Sequence, residues 1–186
     1  MKNKSIVIVG GGHAGVEAAF AVANLGIKAV LVTMDINAVG RMSCNPAIGG
    51  LGKGHLVKEI DALGGIMGRA SDACGLQFKM LNKSKGRAVW SPRAQIDKHK
   101  YAIYIQKVFS SHKNISIVQD EAVDFSVDNG SVSSVVLRKG GVLKTNALIV
   151  CSGTFLNGLI HIGNEKFTAG RFGERAVVGL SNVLVN

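Results

Sequence analysis

The chain is poor in proline and cysteine, with two of the first and three of the second among 186 residues. So few prolines exclude a proline-rich linker. With 47% of the residues apolar, the composition is that of a turn-rich α/β domain and not of a disordered segment. The length is enough for one domain with a sizeable core. The cysteines, at positions 44, 74 and 151, are odd in number and match no metal-ligand or redox spacing. No metal site is therefore expected, and a reducing, cytoplasmic compartment is the natural location. Apolar runs long enough to cross a bilayer are lacking, so no membrane partner is expected. Residues 1–4 lead straight into a strand-like run, which leaves no room for a signal peptide. Acids are scarce as well: 12 Asp and Glu stand against 22 Lys and Arg, for a net charge of +10.

What the chain has in quantity is glycine, 24 residues in all, and the placement of the first few organises the rest. Residues 5–9 (Ser-Ile-Val-Ile-Val) form a β-branched run. Gly10, Gly11, Gly12, His13, Ala14 and Gly15 follow, then an alanine-rich apolar segment over 16–25, then a second strand-like run over 29–33. The order is strand, glycine turn, helix, strand, and glycines 10, 12 and 15 fit G-x-G-x-x-G in the context that gives the motif meaning. Gly10 permits the tight turn, Gly12 lets a pyrophosphate approach the backbone, and Gly15 lets helix and strand pack closely. The helix N-terminus then faces the phosphates with its free N–H groups. Asp35 is the only acid placed to take the ribose hydroxyls, with a solvated loop acid as the alternative.

A second glycine-rich stretch, 40–54, carries glycines at 40, 49, 50, 52 and 54 together with Cys44 and Lys53. It is expected to be a loop whose backbone approaches something closely. Residues 55–63 have helical character and end at Gly64-Gly65. Ser91-Pro92 reads as an N-cap followed by proline at the first helical position. That helix would carry Ala94, Tyr101, Ile105 and Val108, with Ala102 and Phe109, on one stripe. Residues 115–118 form a short strand. Residues 121–127 and 132–138 form a hairpin around Asp128-Asn-Gly130. A buried-looking strand over 145–151 then ends in a small-residue turn at Gly153. It suits a parallel partner of the first strand, ending at the same crevice.

Basic residues crowd one stretch. Lys79, Lys83, Lys85, Arg87, Arg93, Lys98, Lys100, Lys107 and Lys113 face a single acid, Asp97. Such clustering favours a polyanionic partner through counterion release, against the plainer reading of a solubilising surface.

The order of elements is that of a flavin-binding domain of the glutathione-reductase type: a Rossmann-like α/β fold with a central parallel sheet and a small antiparallel meander. This shifts the expected cofactor from NAD to FAD. At residues 10–15 and 42–65 the sequence resembles the MnmG family, also called GidA. Further matches are Gln77-Phe78, Leu81-Asn82, Ser84-Lys-Gly86, Arg93-Ala-Gln95, Gly153-Thr-Phe-Leu156 and Ile160-His-Ile-Gly163. The resemblance runs from Val7 to about Arg171. It departs from the family at Arg87, where members usually have proline, at Asp35, where they often lack an acid, and past Arg171.

The resemblance implies an FAD-dependent enzyme that modifies the wobble uridine of certain tRNAs. Such an enzyme acts as a homodimer with the GTPase MnmE and uses NADH and methylenetetrahydrofolate to place a carboxymethylaminomethyl or aminomethyl group on C5. Family members are much longer, so residues 1–186 are expected to be the N-terminal, FAD-binding part of a longer protein. An insertion would span about 40–114 and a β-meander about 115–146. FAD would rest on residues 10–15 and, by the resemblance, on the backbone near Ala122.

Cys44 is a candidate nucleophile toward uracil C6; the plainer reading is a small buried thiol that lets the loop pack. Cys74 and Cys151 read as core residues. Lys53 is a candidate for stabilising negative charge at the reduced flavin or a phosphate, against a solvated loop lysine. His13 sits at the helix start, where packing competes with a direct role. Lys83, Lys85, Arg87 and Arg93 would meet tRNA phosphates as contacts that position rather than specify. Two other functions remain open: a folate- and FAD-dependent tRNA uridine methyltransferase, and an FAD-binding scaffold that contacts RNA without turnover.

Overall fold

The computed structural model describes residues 4–185. In chain order its elements are β1 (Ser5–Val9), α1 (His13–Asn24), β2 (Lys28–Thr33), β3 (Ala47–Gly49), α2 (Lys53–Ala62), α3 (Met67–Cys74), β4 (Gly75–Leu81), β5 (Ser91–Ile96) and α4 (Lys98–Ser111). They continue with β6 (Ile115–Gln119), β7 (Ala122–Asp128), β8 (Ser131–Leu137), β9 (Val142–Lys144), β10 (Ala147–Val150), β11 (Leu159–Ile162), β12 (Glu165–Thr168) and α5 (Leu180–Val185). The chain divides into two compact units. One holds the residues up to Ile36 and from Asn114 onward, and the other is Asn37–Lys113.

The first unit is built on a four-stranded parallel sheet in the order β10-β1-β2-β6. Val7, Ile8 and residues 29–32 are buried without alternation, as strands covered on both faces must be. Val7 and Val9 stand beside Val30 and Val32 in register. This face packs against Ala122, Val135 and Leu137 of the antiparallel β7-β8-β9 meander and against Leu180 of α5. Ile8 and Leu31 alternate to the other face and are fully buried, and α1 packs across the strands. Helix α1 ends because Gly26, at φ +77°, turns left-handed. The Gly26 and Ile27 amides donate to the Ala23 and Val22 carbonyls, which closes the orphan acceptors of the last turn. The β7–β8 hairpin turns on Asn129 and Gly130, both at positive φ, as a two-residue loop requires.

The second unit is an antiparallel sheet in the order β3-β5-β4 with α2, α3 and α4. Tyr101, Ile105 and Phe109 recur every four residues on α4 and are its buried residues. Helix α2 ends in the same kind of glycine turn as α1, with Gly64 and Gly65 donating to the Asp61 and Ile60 carbonyls.

Three sequence expectations are corrected. Ser91-Pro92 does not start a helix; it starts β5. Pro92 lies opposite Met80 of β4, while the β3 pairing stops one residue earlier in the ladder, at Gly49 and Arg93. The Pro92 carbonyl accepts from Gly50 N–H on the β3 side. The missing proline N–H falls on that same side, beyond the β3 ladder, so no ladder bond is lost. The helix begins at Lys98, capped by Asp97, whose carboxylate accepts from the His99 and Lys100 amides at 3.1 Å each. Ala94 therefore belongs to a strand and not to the α4 stripe. The meander spans 122–144 and not 115–146. Strand β6 joins the parallel sheet beside β2, continuing a ladder in which Ala29 N–H donates to Asn114 O. Finally, the 40–54 stretch is not all loop, because it contains β3 and the first residues of α2.

Candidate functional site

The ends of β1, β2 and β10 meet at the glycine turn. Gly10 N–H donates to Val32 O at 2.9 Å, and Cys151 N–H donates to Val9 O at 2.7 Å. Gly10 has φ +108°, and a Cβ there would land on the Cys151 carbonyl oxygen; a Cβ on Gly15 would land on the Gly10 carbonyl oxygen. These two glycines are fixed by backbone against backbone. Gly12 differs. It is exposed, and a Cβ built on it meets nothing within 4 Å. The turn is therefore closed underneath and open above.

Gly12 is also the N-cap of α1, so the cap carries no side-chain acceptor, and the first turn holds no acid. The intrahelical ladder opens with Val16 N–H on Gly12 O at 2.9 Å, which leaves the first-turn amides before it without intrahelical acceptors. The positive dipole end, first-turn amides outside the intrahelical ladder and the clear space at Gly12 make a place for an anion. His13 and Ala14 are the first residues of α1, half-buried and exposed respectively. Asp35 lies two residues past β2, half-buried, and its own carbonyl accepts from the Thr33 hydroxyl. Gly153, at φ +57° with open space around it, follows β10. Gly10 to Gly15, Asp35 and Gly153 thus lie just past the C-terminal ends of strands of one sheet. Ala122 opens β7 with its methyl group in the core, only 1% exposed, so only its backbone could meet a ligand.

The remaining candidates belong to the second unit. Cys44 is exposed, which corrects the reading of a buried packing thiol: the loop that carries it leaves the sulfur in solvent. Cys74 is buried, and desolvation, aided by the Asp97 charge, pushes its thiol pKa up. Cys151, in the first unit, is half-buried, and burial raises its pKa too. Lys53 is an exposed residue, but its ammonium turns back to donate to Ala47 O at 3.1 Å. Partial desolvation there draws its pKa below the ordinary lysine value. Three glycines of this stretch approach the protein itself. Gly40 lies against Ile105, Gly49 against the Pro92 carbonyl and Gly54 against the Ser91 hydroxyl.

Lys83, Lys85 and Arg87 are all exposed on the tip that joins β4 to β5. The tip is tied internally: Asn82, at φ +60°, donates from its side chain to Val89 O at 3.2 Å. Trp90 Nε1–H donates to Lys85 O at 3.0 Å, and the Arg87 guanidinium lies 5.8 Å from the Trp90 ring centre. Arg93 sits on the stem directly opposite Lys79, so β4–β5 pairing puts two cations side by side on one face. Sequence reading singled out Lys83, Lys85, Arg87 and Arg93 but missed the Lys79–Arg93 pairing and the Trp90 contacts, because β4 and β5 were not legible as strands.

The fold has relatives among known proteins. The family described as "Glucose inhibited division protein A" matches over residues 5–186. The chain belongs to the GidA family. Over 182 residues it is 51% identical to the tRNA uridine 5-carboxymethylaminomethyl modification enzyme MnmG of Chlorobaculum tepidum, an alignment covering 97% of this chain and 29% of that protein. The structure of Aquifex aeolicus GidA superposes with a TM-score of 0.93 at 49% identity, over 98% of this chain and 31% of that one. A probable FAD-dependent monooxygenase of Pseudomonas aeruginosa shares the fold at 14% identity, with a TM-score of 0.56 over 78% of this chain and 41% of that one. The Rossmann-like fold with its central parallel sheet is thus that of GidA proteins. This GidA-family chain spans about 29% of the length of the curated relative. Among the described residues no helix is long and apolar enough to cross a membrane, and no group of three or more His, Cys, Asp or Glu is placed to hold a metal ion.

Proposed function

We infer that this chain is the FAD-binding part of an enzyme that adds a carboxymethylaminomethyl or aminomethyl group to C5 of the wobble uridine of tRNA. The observation that carries the reading is the side-chain-free Gly12 at the α1 N-terminus, open where a Cβ would face clear space. A diphosphate fits that cradle: it would accept from the first-turn amides, with no acid of that turn opposing it. Gly10 and Gly15 hold the cradle closed from below. Asp35, past β2, would take the ribose hydroxyls, and the Ala122 backbone and Gly153 would complete the contacts. FAD, when bound, supplies the redox chemistry that draws electrons from NADH.

The residues of the second unit supply the rest. Uracil C5 is a poor nucleophile until something adds to C6. The Cys44 thiolate, exposed and so accessible, adds to C6 and pushes the C5–C6 electron pair onto C5 and the C4 carbonyl. The amine of glycine or ammonia takes the methylene unit from methylenetetrahydrofolate as an iminium and releases tetrahydrofolate; C5 attacks the iminium carbon, and the C=N electron pair passes to nitrogen. Loss of the C5 proton and departure of the thiolate restore the ring. Lys53 spends one of its three N–H donors on Ala47 O and keeps two for an anion, and its lowered pKa makes it a readier proton donor than an ordinary lysine. Lys83, Lys85, Arg87 and Arg93 bind tRNA phosphates. The assembly is a cytoplasmic homodimer that works with the GTPase MnmE.

The test is nucleoside analysis of tRNA from cells that lack the gene. Loss of carboxymethylaminomethyluridine, restored by the full-length gene, is the expected result. An unchanged nucleoside profile would overturn the reading.

A further inference from the structure

The β4–β5 tip carries more than charge. Trp90 is the single tryptophan of the chain, half-buried at the base of the tip. Its ring orientation is pinned by the Nε1–H bond to Lys85 O at 3.0 Å. Its backbone N–H donates to Arg87 O at 3.1 Å, and the Arg87 guanidinium stands over the ring at 5.8 Å. Asn82 holds the two arms of the tip together through Val89 O, and Lys85 N–H donates to Asn82 O at 2.9 Å. A flat aromatic and a flat cation are therefore presented by a loop already ordered through its own hydrogen bonds. Lys83 and Lys85, both exposed, lie on the same tip, and neither is in an ion pair among the described residues.

This combination differs from a solubilising surface. Charge alone binds phosphate without regard to strandedness. A fixed aromatic beside a guanidinium offers a π-face, and only a base that has left its own stack can use it. We propose that the Arg87–Trp90 pair is a stacking platform for an unpaired nucleobase of RNA, with Lys83 and Lys85 holding the phosphates on either side. The proposal rests on the RNA-contacting reading above and adds a preference that reading lacks: single-stranded over duplex RNA at this tip.

The test uses the 186-residue chain and two labelled probes, an oligouridylate of about twelve nucleotides, within the usual site size, and a blunt RNA duplex of the same length. Anisotropy of the label reports binding, and Trp90 emission, free of any other tryptophan, reports stacking. The single strand is expected to bind and quench Trp90, and the duplex to bind without quenching. Trp90→Leu should weaken single-strand binding roughly tenfold, the worth of one stacked base, and leave duplex binding unchanged. Trp90→Phe, which keeps a ring, should recover most of the loss. Circular dichroism and the unchanged duplex affinity confirm that both variants are folded. Single-strand binding with unquenched Trp90, or with full affinity in Trp90→Leu, overturns the platform and leaves the RNA reading standing. Failure of either RNA to bind at any salt concentration overturns both.

Discussion

The two units carry their chemistry in opposite ways. In the first unit the proposed working surface is backbone. Gly10, Gly12 and Gly15 would contribute by lacking a side chain, and the turn they form is set by ladder bonds that the Val9 and Val32 carbonyls accept. In the second unit the candidate groups are side chains on exposed segments: Cys44 on a loop and Lys83, Lys85 and Arg87 on a hairpin tip. The first unit should be damaged by what a mutation adds, and the second by what it removes.

The sharpest way to break that contrast lies within the glycine turn. Gly10→Ala and Gly15→Ala place a methyl group on a backbone carbonyl and should cost about 2 kcal/mol or more of stability, read in thermal melts, with loss of flavin loading. Gly12→Ala meets open space, so its melting temperature should stay within a degree or two of the parent. Its methyl group nevertheless occupies the proposed approach of the diphosphate, and flavin loading should fall. Equal melting losses at all three positions would erase the distinction between the floor and the mouth of the turn.

In the second unit, changing Lys83, Lys85 and Arg87 together to Gln should reduce the slope of log affinity for tRNA against log salt by about two, since each phosphate contact contributes about 0.7 on single strands. Melting should be unaffected, because none of the three supports the core. An unchanged slope would remove the tip from the RNA surface.

Thiol reactivity gives a smaller but clean contrast. Cys44 is exposed, whereas Cys74 and Cys151 are buried or half-buried with raised pKa values. A chromogenic thiol reagent should therefore modify one cysteine quickly and two slowly, and Cys44→Ser should abolish the fast phase. A persistent fast phase would place the reactive thiol elsewhere.

The mildest effect belongs to Asp97. Hydrogen bonds from the Lys100 amide first, then the His99 amide, together with nearby positive charge, hold its pKa below the ordinary carboxylate value. A carboxylate depressed in the folded state stabilises above its unfolded pKa and loses that contribution as pH falls through the folded value. Asp97→Ala should thus lower the melting temperature at neutral pH, with the gap closing as pH drops below about 4. A gap independent of pH would argue against the capping carboxylate as its source.

The first unit was largely legible because its signals are local. The β-branched runs of β1 and β2, the glycine turn and the Asn129-Gly130 hairpin each announce themselves within a few residues. Strand β10 could be placed because a parallel sheet needs a partner for β1. The second unit resisted for physical reasons. Ser91-Pro92 is locally a helix start, and β5 is a strand only because β3 and β4 pair with it from outside the local sequence. Helix α3 carries Gly68, Ser71 and Asp72, poor helix formers, and is held by the burial of Met67, Ala70 and Cys74. The stretch 40–54 showed its need for glycine, but the surfaces it approaches, Ile105, Pro92 and Ser91, are distant in sequence. The exposure of Cys44 could not be read from a loop sequence that suited a buried thiol equally well.

The most direct measurement is the amide spectrum of the 15N-labelled chain during titration with FAD. The account predicts that the amide resonances of Gly11 through Gly15 shift most and in step with flavin loading, and that Gly12→Ala suppresses those shifts while the fold persists. Flavin binding that leaves these amides unmoved and perturbs another region would contradict it.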